Sequence, residues 1–197
     1  MGRPCSFVRL AGCPLKCFYC DTRKACESPG RPMTVDEILH EVALLGRGLV
    51  EVTGGEPLAQ KDTPGLLSEL CQAGYEVMLE TSGAFPIENL DDRVRIVMDV
   101  KCPGSGMMEK MRFENFDHLT ARHCELKFVV GSKNDFDWTV DLCESRRLAE
   151  RAELLVSPVY GAVSPRDLAE WVLGTHIRLR LQIQLHKVIW PDTEAEV

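Results

Sequence analysis

Short apolar runs alternate along this chain with stretches in which apolar residues recur every three or four positions. The short runs predict strands at Cys5 to Leu10, Leu49 to Thr53, Tyr75 to Glu80, Arg95 to Val100, Cys124 to Val130, Glu153 to Ser157 and Arg178 to His186. In the last of these, Leu179, Leu181, Ile183 and Leu185 alternate with Arg180, Gln182, Gln184 and His186, which predicts one core face and one polar face. The longer-period stretches predict helices. Thr34 and Glu37 form a capping box, after which Val35, Ile38, Leu39, Val42 and Leu45 share one side and Gly46 ends the helix. Thr63-Pro64 opens a second helix that stops at Gly74, and Ser164-Pro165 a third that stops at Gly174. Such strand–helix alternation implies an α/β fold whose strands are mostly parallel and joined by right-handed crossovers.

Composition narrows the function classes. With 45% hydrophobic and 27% charged residues, the 197-residue chain can bury a substantial core, and it is expected to form a single domain over residues 1–197. The net charge of −7 is spread along the chain and gives no basic stripe, so nucleic acid is not an expected partner. No apolar run is long enough for a bilayer and no leader pattern opens the chain, so a cytoplasmic protein without membrane contact is expected. The short acidic tail from Asp192 to Val197 is expected to fray.

In parallel sheets ligands collect where strands end. Three predicted strands run straight into polar, glycine-containing words there: Gly54-Gly55-Glu56-Pro57, Thr81-Ser82-Gly83 and Lys101-Cys102-Pro103-Gly104. The first strand runs into Cys13-Pro-Leu-Lys-Cys17-Phe-Tyr-Cys20, three thiols within eight residues. Thiolates are soft ligands suited to zinc or an iron–sulfur cluster. A closed structural zinc site needs a fourth ligand, and no CxxC or HxxxH partner follows to supply one, so iron–sulfur is the preferred reading over zinc. Three ligands on a four-iron cluster leave one iron open to a small molecule. The chain has nine cysteines, an odd number at uneven spacing, which disfavours a disulfide framework. Cys71, Cys124 and Cys143 sit in apolar patterns and read as small core residues. Cys5 and Cys26 flank the nest and could serve as backup thiols, though the same plain reading is preferred for both, while Cys102, in a Pro/Gly-rich loop, is left open.

The C-x3-C-x2-C spacing, Tyr19 before the last cysteine, and Thr53-Gly54-Gly55-Glu56-Pro57 together resemble the radical S-adenosylmethionine superfamily. Arg9-Leu10-Ala11-Gly12-Cys13, Cys20-Asp21-Thr22, Glu80-Thr81-Ser82-Gly83, Asp99-Val100-Lys101-Cys102-Pro103-Gly104 and Gln184-Leu-His186-Lys187 extend the resemblance to the 7-carboxy-7-deazaguanine synthase family. It implies a partial (β/α) barrel, and a lyase that contracts 6-carboxy-5,6,7,8-tetrahydropterin to 7-carboxy-7-deazaguanine with loss of ammonia, on the route to queuosine. It also implies that Cys13, Cys17 and Cys20 hold a catalytic 4Fe-4S cluster. Tyr19, Cys20, Asp21, Gly55, Ser82, Asp99, Val100, Lys101, Ser157, Pro158, Val159 and Tyr160 would then line S-adenosylmethionine. Thr22 would contact Mg2+, and Arg9, Thr53, Glu80 and His186 the pterin. An electron donor such as flavodoxin or ferredoxin and a homodimer are further implications.

The chemistry of two residues agrees with those roles. A guanidinium such as Arg9 suits a substrate carboxylate, and Gln184 and His186 would serve a heterocycle edge if the last strand lined a cavity. The family's upstream Gln-Gly-Glu word is not found, which leaves either a shortened sequence or a pterin site without that segment. Because residues follow Pro191, the terminal-carboxylate role of the matching family position is not carried to it. Two other readings share the nest: an activase that makes a glycyl radical on a partner protein, and a non-enzymatic metal-stabilised module or electron carrier.

Overall fold

The computed structural model describes residues 2–120 and 123–190; Pro191 and the acidic tail lie outside the described residues. Seven strands lie side by side in chain order, every neighbouring pair parallel: β1 (Ser6–Leu10), β2 (Leu49–Gly54), β3 (Glu76–Thr81), β4 (Arg95–Val100), β5 (Cys124–Val130), β6 (Glu153–Pro158) and β7 (Arg180–Leu181). This is the open, parallel α/β sheet of a partial barrel.

The two faces of the sheet do different work. Val8, Val50, Val52, Val77, Leu79, Met98, Val100, Leu126, Phe128, Val130, Leu154 and Val156 point outward and are buried beneath the helices as the core. Helices α2 (Val35–Leu45), α3 (Thr63–Gln72), α4 (Lys133–Ser145) and α5 (Pro165–Leu173) pack on this face. The alternate positions point inward and are largely polar. Near the start of the strands they pair across the sheet, Arg3 to Glu76 at 2.8 Å, Arg95 to Glu125 at 3.3 Å and Arg180 to Glu125 at 3.1 Å. Pairs as exposed as these add little stability.

Helix α2 has the predicted caps. The Thr34 hydroxyl accepts from Glu37 N at 3.2 Å, the Glu37 carboxylate accepts from Thr34 N at 2.7 Å, and Gly46 closes the helix with φ +64°. Helix α5 follows Ser164-Pro165 as expected and is capped at Gly174. Helix α4 is an element without a counterpart in the sequence reading. Its start signal is Ser132, whose hydroxyl accepts from Asp135 N at 3.2 Å.

The last predicted strand is corrected. Pairing with β6 covers only Arg180 and Leu181, plus one bond from Gln182 N to Val156 O at 2.9 Å. The chain then leaves the sheet and forms the short helix α6 (Leu185–Ile189). Alternation signals an extended chain only while a neighbour supplies pairing groups, and beyond Val156 the segment folds over the rim instead. Among the described residues no helix is long and apolar enough to cross a membrane.

Candidate active site at the rim of the sheet

Two close backbone approaches build the site. Gly55 N donates to Leu10 O at 2.8 Å and Glu56 N to Gly12 O at 2.9 Å, pressing the loop after β2 against the loop that carries the cysteines. A Cβ on Gly54 would stand 2.0 Å from Leu10 O, and one on Gly55 2.0 Å from Gly12 O; Gly54 also has φ +146°. Both positions therefore demand glycine for the chain's own packing, whatever ligand lies beyond. Glu56 is fully buried and fastens the next rim loop, accepting from Leu58 N at 2.9 Å, Thr81 Oγ1 at 2.8 Å, Ser82 N at 2.6 Å and the Ser82 hydroxyl.

The nest is held from outside as well. Phe18 N donates to Ser105 O at 3.1 Å and the Tyr19 hydroxyl to Val129 O at 3.1 Å. Burial raises the thiol pKa of Cys13 and Cys17 above the ordinary value, so a metal must displace protons there and loading is favoured as pH rises. After Thr22 the chain turns through the short helix α1 (Arg23–Glu27), which returns Cys26 to the nest, its Sγ 3.8 Å from Cys20 Sγ. The plain reading of Cys26 is thus corrected: a reversal of the backbone, invisible in the spacing, places it beside the thiols of the nest. Cys102, by contrast, is fully buried against Thr139, and Cys71, Cys124 and Cys143 lie in the core.

Nest and rim enclose one cavity of about 640 Å³. It is lined by Cys13, Cys17, Tyr19, Cys20, Asp21, Thr22, Gly55, Ser82, Asp99, Lys101 and Ser157 to Tyr160, and also by Arg9, Thr53, Glu80 and His186. The residues expected from the sequence to serve cluster, cofactor and substrate are therefore brought together. Val100 is the exception; its side chain is buried in the core. Thr22 sits at the rim with its hydroxyl 3.8 Å from Cys20 Sγ.

Sequence reasoning missed Phe7, Glu51, Lys127 and Gln182, which also line the cavity. Lys127 Nζ lies 2.6 Å from Glu80 Oε1, and the Thr53 hydroxyl donates to Glu80 Oε2 at 3.3 Å. The Lys127 charge holds the Glu80 carboxyl below the usual range, and Glu80 in turn holds Lys127 charged against the cost of burial. Lys101 forms the same kind of pair with Asp99 at 2.8 Å. Glu51 differs: burial, with Glu80 beside it, pushes its pKa up to about 7. Burial also lowers the His186 pKa, so its ring is disposed to be neutral.

Four buried polar atoms have no hydrogen-bond partner among the described residues, and three of them, Asp99 Oδ1, Gln182 Oε1 and His186 Nε2, belong to residues lining this cavity. Buried polar groups are rarely left unpaired without a ligand to satisfy them. Three soft thiols, a glycine-tight rim and unpartnered polar atoms on residues that line one cavity fit a cluster with an open iron and an adenosyl cofactor.

The model of the Radical SAM superfamily matches residues 8–144. A 7-carboxy-7-deazaguanine synthase of Chlorobaculum tepidum is 45% identical over 197 residues, covering 98% of this chain and 89% of that one. This chain belongs to the 7-carboxy-7-deazaguanine synthase family. The synthase of Koribacter versatilis is 39% identical, over 98% of this chain and 92% of its own length. In three dimensions the fold is similar to crystalline QueE from Escherichia coli, with TM-score 0.72 and 21% identity over 93% of this chain and 87% of that one. It is also similar to Streptococcus suis SuiB bound to S-adenosylmethionine, with TM-score 0.64 and 14% identity over 96% of this chain and 53% of that one. Membership of this radical SAM family implies a 4Fe-4S cluster and S-adenosylmethionine.

Proposed function

We propose that the chain catalyses the ring contraction of 6-carboxy-5,6,7,8-tetrahydropterin to 7-carboxy-7-deazaguanine with loss of ammonia, acting as a carbon–nitrogen lyase in queuosine biosynthesis. The observation that carries this reading is the row Arg9, Thr53 and Glu80 on neighbouring strands, in one cavity with the cysteine nest. When bound, the cluster and S-adenosylmethionine supply the radical that starts the rearrangement.

The chain's own residues bind and orient. Arg9 offers a guanidinium fork for the substrate carboxylate. Glu80, kept anionic by Lys127, accepts from the N–H groups of the heterocycle, and Thr53 fixes the second Glu80 oxygen. His186, its pKa lowered by burial and its Nε2 unpaired, meets the substrate from α6. Glu51, with its pKa near 7, can hold a proton at the cavity floor beside Phe7.

The same reading gives Thr22 a place near Mg2+, whose preference is for oxygen ligands, and brings in a flavodoxin- or ferredoxin-type reductant, a cytoplasmic setting and a homodimer. An activase acting on a partner protein would share the nest but have no use for the Arg9–Thr53–Glu80 row. The test is complementation. A bacterium lacking its own synthase should regain queuosine in its tRNA when given this chain, and should not when given the Cys17→Ala variant; no queuosine with either would count against the proposal.

A further inference from the structure

Cys26 stands outside the three-cysteine word, yet it is folded into the nest. Gly12 N donates to Ala25 O at 2.8 Å, pinning α1 to the start of the cysteine loop. Helix α1 thereby turns Cys26 inward to line the cavity, with its sulfur 3.8 Å from that of Cys20.

Such a thiol could ligate metal or touch a ligand. A four-iron cluster takes one thiolate per iron, and thiolates on neighbouring irons stand further apart than a sulfur–sulfur contact of 3.8 Å. Cys26 is thus too close to Cys20 to serve a second iron of the same cluster. Nor do the thiols form a single-ion site: among the described residues no three of His, Cys, Asp or Glu could hold one metal ion. The remaining role is that of a donor.

We propose that Cys26 donates its S–H to the Cys20 sulfur and so raises the reduction potential of the cluster, acting as a positioning and tuning residue. Reduction adds negative charge to the cluster and its ligand sulfurs, and a donor aimed at one of those sulfurs stabilises the reduced form more than the oxidised one. The Thr22 hydroxyl also lies 3.8 Å from the same sulfur. The proposal rests on the nest holding a 4Fe-4S cluster, as the family implies, but not on the pterin reaction.

The experiment compares reconstituted parent, Cys26→Ala and Cys26→Ser proteins without substrate. Iron and sulfide per chain are measured, and the midpoint potential is followed by electron paramagnetic resonance. All three should carry the same cluster content. Cys26→Ala should shift the midpoint to a more negative value, while Cys26→Ser, which keeps a donor on a shorter arm, should stay nearer the parent. An unchanged or more positive midpoint in Cys26→Ala overturns the proposal. Loss of iron from Cys26→Ala overturns it too, because that marks a ligand. A parent without a four-iron signature would defeat the cluster reading itself.

Discussion

Lys127 Nζ and Glu80 Oε1 stand 2.6 Å apart on the inner face of the sheet, linking β5 to β3 across β4. Removing one member of such a pair leaves the other charge unpaired in a partly dry site, which costs more than the pair's net worth. Because both side chains keep some solvent contact, the cost is about 2 kcal/mol rather than the full figure for a deep pair. Lys127→Met should therefore destabilise the fold by about 2 kcal/mol, and by letting the Glu80 carboxyl take up a proton it should lower kcat/KM while iron content stays normal. Unaltered steady-state kinetics would show that the pair only decorates the sheet.

Glu51 gives a pH signature. Its folded pKa of about 7 lies above the ordinary glutamate value of 4.5, so folding favours its protonated form. The stability tied to that proton is present below pH 4.5 and is lost as pH rises through 7. The groups facing it are Glu80, Lys127 and Arg9. Glu51→Gln cannot ionise, so it should match the parent at pH 4 and exceed it at pH 8 by on the order of 2 kcal/mol. Melting of the cluster-free proteins at the two pH values tests this; a variant no more stable than the parent at pH 8 would refute it.

Arg9 is expected to bind the substrate carboxylate. A charge-assisted pair of this kind contributes about 1.5–3 kcal/mol, so Arg9→Ala should weaken substrate affinity by roughly 10- to 100-fold. Arg9→Lys keeps the charge without the planar fork and should recover only part of the loss. Cluster content and S-adenosylmethionine affinity should hold. If the cluster is lost instead, Arg9 is structural.

Gly55 tests the packing of the nest. An alanine there would drive its Cβ to 2.0 Å from Gly12 O, so the cysteine loop must move. Gly55→Ala should lose iron on reconstitution and melt earlier, whereas Gly65→Ala, with nothing within 4 Å of its added Cβ, should do neither. Full iron loading of Gly55→Ala would contradict the role given to this contact.

The strands and rim words were legible because a buried parallel strand ending in a glycine-containing loop leaves a run of apolar residues and an abrupt stop. Lys127 and Glu51 were not, because Glu125-Leu126-Lys127-Phe128 and Val50-Glu51-Val52 read as strands with a solvent face. Only the curvature of seven strands turns that face into a cavity wall. The end of the chain misled for the opposite reason. From Leu181 to His186 the alternation persists, but pairing with β6 ends at the Gln182 N to Val156 O bond and the segment turns over the rim, with His186 on a helix. Cys26 was hidden by a reversal through a five-residue helix too short to leave a periodic signal.

The most direct test supplies reconstituted protein with 6-carboxy-5,6,7,8-tetrahydropterin, S-adenosylmethionine, Mg2+ and a reductant, and measures the products by mass spectrometry. The expected result is 7-carboxy-7-deazaguanine with one equivalent of ammonia, dependent on both S-adenosylmethionine and reductant and abolished in Cys17→Ala. Reductive cleavage of S-adenosylmethionine with the pterin recovered unchanged would contradict the assignment of this cavity to that substrate.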